Sequence, residues 1–193
     1  MKRVLLFVGI FLFAVIAAVA IAGFIRFNFT DGGDIVPASP PAAVSDVTVT
    51  IDDQKFTMSN GVAETPSASG SALKNTIRLV GEPVMGDADG DGDLDAALMI
   101  QNDPGGSGTF YYAVVALDNG GVYRASNALL LGDRIEPQTV EFTDGRFAYT
   151  YAERRAGEPM VAYPSIAKTV LIAVNKSTGA ISCLLYTSPS PRD

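Results

Sequence analysis

The chain has 193 residues, of which 48% are hydrophobic, and a formal net charge of −7 at pH 7. This acidity disfavours binding to nucleic acid, because the phosphate backbone carries the same sign of charge. Histidine is absent, which excludes the commonest general base and the commonest side-chain ligand of transition metals. The length leaves room for one domain with a buried core.

The N-terminal segment is predicted to be a membrane anchor. Residues 4–25 form an apolar run without a charge, preceded by Lys2 and Arg3. A helix of about 20 apolar residues spans the roughly 30 Å of hydrocarbon in a bilayer. Residues 1–26 are therefore predicted to be a signal-anchor transmembrane helix, with the rest of the chain on the extracytoplasmic side of the cell membrane. A cleaved signal peptide is the alternative, because residues 18–20 read Ala-Val-Ala, but the run exceeds the usual apolar core of such peptides.

The middle of the chain is predicted to be a β domain. Residues 27–45 are rich in Pro, Ala and Ser and are predicted to form a linker. Within residues 46–182, short stretches such as 47–51 alternate apolar and polar side chains, and turn residues separate them. Residues 96–100 are apolar on both faces and predict a buried strand, and 109–117 predict a central strand. The fold class is therefore predicted to be all-β, either an antiparallel sandwich or a partly open barrel.

The C-terminal residues 183–193 are predicted to be foreign to the native protein. They resemble the translation of a transposase adapter used in DNA library preparation, and we predict that they are an artefact. The alternative is a natural tail rich in Pro and Ser. Because the only cysteine of the chain, Cys183, lies in this segment, we expect no native disulfide or thiolate site.

One acidic stretch carries the clearest chemical signal. Aspartates occupy every second position, with glycines between them, and their carboxylates are hard oxygen ligands of the kind that Ca²⁺ prefers. The predicted metal ligands are Asp87, Asp89, Asp91, Asp93 (through its backbone carbonyl) and Asp95. Leu94 is expected to point into the core. The twelfth position of the loop is Leu98 instead of the glutamate of helix–loop–helix sites, so a loop followed by a strand is predicted.

A solvated acidic turn without an ion is the alternative for this stretch. Like charges about 6 Å apart repel by roughly 1–3 kcal/mol per pair at effective dielectric constants between that of water and 20. Several such pairs within nine residues would destabilise the loop unless a cation neutralised them. The sequence therefore favours calcium as the cofactor.

The acidic stretch also supports a family resemblance. Residues 86–95, followed by an apolar strand, resemble the calcium loop of FG-GAP/VCBS-type repeats of extracellular bacterial proteins. Those repeats form propellers in several copies, whereas this chain has one copy. A wider part of the chain is similar to a domain of bacterial envelope proteins that are secreted or anchored, through residues 86–95, 105–112, 130–134 and 157–160. The resemblance implies an extracytoplasmic location and calcium ligands at the five aspartates, and it implies no reaction.

Other motifs favour simpler interpretations. The aromatic residues Phe110, Tyr111 and Tyr112 could stack on a sugar, but aromatics in a strand are more often packed against neighbouring strands. Ser165 and Lys168 match the S-x-x-K pattern of penicillin-binding proteins without its companion motifs. The predicted function is a membrane-anchored extracytoplasmic calcium-binding β domain with a structural or envelope-interaction role and no catalysis.

Two kinds of partner are expected besides the membrane, namely an envelope protein or a polysaccharide. The alternative function is a hydrolase of cell wall or polysaccharide that uses Asp and Glu carboxylates. A cleft with two carboxylates about 5–10 Å apart would favour the hydrolase.

Overall fold

A computed structural model describes residues 42–68 and 70–187, with the backbone alone for residues 42–43 and 185–187. The predicted anchor, residues 1–26, and most of the predicted linker lie outside these residues. Within the described part of the chain, no helix is long and apolar enough to cross a membrane. A single helical turn, α1 (Ala42–Ser45), precedes the first strand.

The described residues after α1 are built from antiparallel strands, which confirms the all-β prediction for this part of the chain. The strands are β1 (Thr48–Ile51), β2 (Gln54–Thr57), β3 (Val62–Pro66), β4 (Lys74–Leu79), β5 (Val84–Gly86), β6 (Asp95–Asp103), β7 (Phe110–Asp118), β8 (Tyr123–Ala125), β9 (Leu129–Asp133), β10 (Glu136–Thr143), β11 (Arg146–Glu153), β12 (Ile166–Val174) and β13 (Ile181–Thr187).

The strands form three antiparallel sheets. The largest has the order β3-β4-β6-β7-β8, with β5 also paired to β6 and β9 also paired to β7. A second sheet has the order β10-β11-β12-β13, and β1 and β2 form a separate hairpin. This arrangement is consistent with a sandwich.

Strands β6 and β7 lie at the centre of the core. Their register pairs Ala96 with Ala116 and Ile100 with Tyr112. Because successive side chains in a strand point to opposite faces, Leu98 and Val114 pack with the β1–β2 hairpin in one apolar cluster. The alternate residues pack with β11 and β12 in a second cluster. This burial on both faces confirms the predictions for residues 96–100 and 109–117.

One tyrosine connects the four-stranded sheet to this centre. Tyr149 of β11 is fully buried, and its hydroxyl lies 2.9 Å from the carbonyl oxygen of Val114 and 3.2 Å from that of Leu98. Burial raises the pKa of the Tyr149 hydroxyl far above its usual value, so this group donates a hydrogen bond as a neutral phenol. It thereby ties β11 to the β6–β7 ladder.

Two features at strand ends add detail to the sequence prediction. Strand β10 carries a bulge between Pro137 and Thr139, as is common where a proline lacks the N–H for the ladder. Residues 183–187 belong to β13 and pair with β12. This pairing does not test the origin of residues 183–193, which stays a prediction.

Candidate metal centre

The acidic loop connects two neighbouring strands of the largest sheet. Strands β5 and β6 pair antiparallel, with Gly86 opposite Asp95. The loop formed by residues 87–94 therefore starts and ends at adjacent positions of the sheet. The ring of Phe142 lies directly over Gly86, leaving no room there for a Cβ. The strand pairing therefore fixes both ends of the loop and brings its first and last aspartates together. The strand that follows the loop agrees with the predicted loop–strand form of the site.

The last aspartate of the loop is completely buried. The Oδ2 atom of Asp95 accepts hydrogen bonds from the backbone N–H groups of Ala88 (2.9 Å) and Asp89 (3.3 Å). Its Oδ1 atom accepts a third from Asp118 N–H at the end of β7 (3.1 Å). Burial raises the pKa of the Asp95 carboxyl, and these three donors act in the opposite direction. Asp95 thus joins the loop to the ends of β6 and β7.

Two further aspartates complete a cluster around Asp95. Carboxylate oxygens of Asp87, Asp89 and Asp95 all lie within 4.8 Å of one another. Asp87 and Asp89 are partly exposed, so one side of the cluster is open to solvent. Three converging carboxylates could hold a metal ion, and these are three of the five ligands predicted from the sequence. The geometry does not identify the metal.

The other two predicted ligands occupy the exposed tip of the loop. Asp89 Oδ1 accepts the N–H of Asp91 (3.1 Å), and Asp91 Oδ1 accepts the N–H of Asp93 (2.9 Å). Both residues lie outside the three-residue cluster. Their roles as ligands stay a prediction.

Asp87 and two glycines shape the turn of the loop. Asp87 accepts hydrogen bonds from the N–H groups of Gly90 (2.6 Å) and Gly92 (3.2 Å). Both glycines have a positive φ, 77° and 100° respectively, which a residue with a Cβ rarely adopts. The loop therefore folds around its own carboxylates, with the two glycines at its sharp turns.

The expectation that Leu94 points into the core is wrong. Leu94 is 54% exposed, and its carbonyl oxygen accepts a hydrogen bond from the Tyr123 hydroxyl (3.2 Å). The reason is the alternation of side chains at the start of β6. Asp95 takes the inward position, and its predecessor therefore faces outward.

Sequence reasoning missed the residues that other parts of the chain bring to the loop. A Cβ atom placed on Gly90 would lie 2.5 Å from Nζ of Lys176, so the turn between β12 and β13 brings an ammonium group close to the loop. The N–H of Asp118 and the hydroxyl of Tyr123 arrive from β7 and β8. Nothing in the sequence around these residues indicated that they would contact the acidic loop.

The S-x-x-K pair does not form a nucleophile site in this fold. The N–H of Ser165 donates to the Glu153 carbonyl oxygen (3.0 Å), and Lys168 lies within strand β12, with Nζ 3.2 Å from Glu153 Oε1. In penicillin-binding proteins, the nucleophilic serine of this motif lies at the start of a helix.

Comparisons with protein-family models, curated proteins and solved structures find no match to this chain. The residues of the chain itself are therefore the basis of the function proposed below.

Proposed function

We propose that the chain is a calcium-binding β domain outside the cytoplasm, tethered to the membrane by residues 1–26, with a structural or envelope-interaction role and no catalysis. The observation that supports this most directly is the convergence of Asp87, Asp89 and Asp95 between β5 and β6. The tether and the location depend on the sequence alone, through the apolar run at residues 4–25 and the resemblance of the loop to extracellular calcium loops.

Calcium is the metal that this donor set suits best. The three clustered donors are carboxylate oxygens, and Ca²⁺ takes six to eight oxygen ligands in a flexible shell. Asp91, the backbone carbonyl of Asp93 and water would complete that shell. Zinc and copper sites use imidazole or thiolate ligands, and none of the clustered residues provides one. An affinity of about 10⁻⁴–10⁻³ M is typical of extracellular modules.

A bound cation would act on the core as well as on the loop. It would relieve repulsion among aspartates spaced two residues apart. Since Asp95 also accepts the N–H of Asp118, a cation held by Asp95 would stabilise the ends of the paired strands β6 and β7. We therefore expect calcium to raise the stability of the whole domain.

The hydrolase alternative has no specific observation in its favour. Four pockets lined by described residues each have one carboxylate residue in their lining, namely Asp46, Asp52, Glu82 and Glu64. Glycoside hydrolysis in its usual form needs a pair, about 5–10 Å apart. The binding role is therefore the one that we propose.

Calcium titration of the metal-free chain tests this proposal. The full chain, purified in detergent and stripped with EDTA, would be melted with and without 10 mM Ca²⁺. At the affinity given above, the ion would contribute about 1.4–2.7 kcal/mol, or a rise in Tm of about 3–10 °C. Asp89→Asn should lose most of this rise. Asp93→Asn is the matched control, because it keeps the backbone carbonyl that is the predicted ligand.

Two results would contradict the calcium proposal. One is an unchanged Tm in Ca²⁺, and the other is an equal rise in Asp89→Asn and the wild type. The tether is tested separately by the mass of the chain recovered from membranes. A mature chain that begins near residue 21 or 23 would show cleavage and contradict the anchor.

A further inference from the structure

A lysine from a distant part of the chain lies against the acidic loop. Lys176 belongs to the turn between β12 and β13. A Cβ atom placed on Gly90, near the middle of the loop, would lie 2.5 Å from Nζ of Lys176 and 3.6 Å from its Cε. A C–C bond is about 1.5 Å long, so the ammonium lies within about 4 Å of the Gly90 Cα atom. The charged end of this side chain therefore reaches the loop.

Gly90 lies among aspartates. Asp89 and Asp91 are its neighbours in sequence, and Oδ1 of Asp87 accepts its N–H at 2.6 Å. Adding the bond lengths within Gly90 places the Lys176 ammonium within about 8 Å of the Asp87 carboxylate. Lys176 makes none of the ion pairs found among the described residues. Its ammonium therefore attracts the carboxylates of the loop together instead of pairing with one of them.

The turn that carries Lys176 is held in place by its own contacts. Oδ1 of Asn175 accepts hydrogen bonds from the N–H groups of the two residues after Lys176 (3.0 and 3.1 Å). A Cβ atom placed on Gly179 would lie 2.8 Å from Cδ1 of Leu117, so the turn packs closely against β7. Leu117 directly precedes Asp118, whose N–H donates to the buried carboxylate of the loop. The lysine thus extends from a fixed point beside the loop.

The lysine brings a positive charge to a loop that is otherwise purely acidic. Residues 87–95 contain five aspartates and no basic residue. An ammonium within about one Debye length, about 8 Å at physiological salt, offsets part of the repulsion among these carboxylates. A divalent cation held by the same carboxylates would repel that ammonium. The metal-free loop and the metal-bound loop therefore favour different positions of the same side chain.

We propose that the Lys176 ammonium is the counter-ion of the acidic loop in the metal-free protein, and that a metal ion binds in competition with it. A lysine suits this role, because its charge is carried on a flexible stem of four carbons that can turn away from the loop. The competition lowers the affinity of the loop for metal and rests on the calcium binding proposed above. The counter-ion role in the metal-free protein does not depend on calcium.

Zero-length cross-linking tests the counter-ion role. The full chain in detergent would be stripped of metal with EDTA, desalted, and treated with a water-soluble carbodiimide, which joins an amine to a carboxylate where the two meet. Peptide mapping by mass spectrometry should find an amide between Lys176 and an aspartate of residues 87–93. In 10 mM Ca²⁺ the yield of this amide should fall several-fold, because the ion would occupy the carboxylates and repel the ammonium.

Variants separate the charge of Lys176 from its packing. Lys176→Gln should raise the calcium affinity about three- to tenfold, because it removes a positive charge near the ion. Lys176→Arg keeps that charge and should bind calcium as the wild type does. Lys55→Gln, at an exposed position of β2, is the matched control for the loss of one positive charge. It should change the calcium affinity by less than about twofold.

The metal-free chain gives a second, independent measurement. At low salt, Lys176→Gln should melt about 1–3 °C below the wild type and below Lys55→Gln, because the aspartates lose their counter-ion. The difference should disappear at about 1 M NaCl, where the Debye length is about 3 Å. Lys176→Arg should melt with the wild type.

Three results would overturn the inference in whole or in part. The counter-ion role fails if the metal-free chain gives no cross-link from Lys176 to residues 87–93, or if Lys176→Gln and Lys55→Gln melt together at low salt. The competition fails if Lys176→Gln binds calcium no more tightly than the wild type. A wild type that bound no calcium would contradict the metal proposal and the competition, whereas the metal-free cross-link would still decide the counter-ion role.

Discussion

Strand β6 has a buried polar side chain near each end, and the two differ in how completely they are hydrogen-bonded. At the first end, the buried Asp95 carboxylate accepts three backbone N–H groups. At the other end, the buried Asn102 amide keeps an acceptor oxygen without a donor. A buried charge must be satisfied for the chain to fold, and a buried amide oxygen without a donor costs stability. The Asp95 end of β6 therefore supports the fold, whereas the oxygen of Asn102 weakens it.

The largest loss of stability should come from removing the Asp95 carboxylate. Asp95→Ala would leave the partly buried N–H groups of Ala88, Asp89 and Asp118 without their acceptor. We expect a loss of about 2–4 kcal/mol in the free energy of unfolding, measured by urea titration in EDTA so that no metal contributes. Asp93→Asn, at the exposed tip of the same loop, should change the free energy by less than about 0.5 kcal/mol. A similar small change in Asp95→Ala would show that the buried carboxylate does not support the strand ends.

Removing a hydrogen bond to the middle of β6 should cause a loss of stability of intermediate size. Tyr149→Phe keeps the aromatic ring in the core and removes the hydroxyl that reaches the carbonyl oxygens of Leu98 and Val114. We expect a loss of about 1–2 kcal/mol, or a fall in Tm of about 2–8 °C by circular dichroism. Tyr163→Phe is the matched control, because Tyr163 is 76% exposed. Equal falls in the two variants would mean that the buried hydroxyl adds nothing to the link between the sheets.

Local patterns were sufficient to predict the centre of the fold. Residues 96–100 and 109–117 are apolar at consecutive positions, and only a strand covered on both faces accommodates that pattern. The packing of the hairpin and the four-stranded sheet on the two faces of β6 and β7 was not predictable, because these contacts join residues far apart in sequence. The contact between Tyr149 and Leu98, 51 residues apart, is an example.

The two ends of β6 also differ in what the sequence reveals. The acidic loop is local, so the spacing of its aspartates predicted a cluster that the structure forms from Asp87, Asp89 and Asp95. The surroundings of Asn102 come from strands that are distant in sequence, because it lies opposite Ile77 of β4 and Phe110 of β7, and no short motif marks them. A polar residue at an inward position beside Ile77 or Ile100 was the available signal, and it becomes visible only when the register of the strands is known.

A partly exposed ion pair, Asp133 with Arg134, should give the smallest effect. Asp133 Oδ1 accepts the N–H of Thr109 (3.0 Å), and Oδ2 lies 2.8 Å from Arg134 Nη2. The hydrogen bond from Arg134 is the main cause that lowers the pKa of Asp133. A carboxyl whose pKa is lowered by folding stabilises the protein above its unfolded pKa of about 3.9 and loses that contribution as the pH falls through the folded value. Asp133→Asn should therefore lower the Tm at pH 6 by only about 1–2 °C, because the pair is partly exposed and screened by salt. The difference from the wild type should shrink as the pH falls below about 3.9 and vanish once the folded-state carboxyl is protonated. A difference that did not shrink would assign the effect to packing instead of charge.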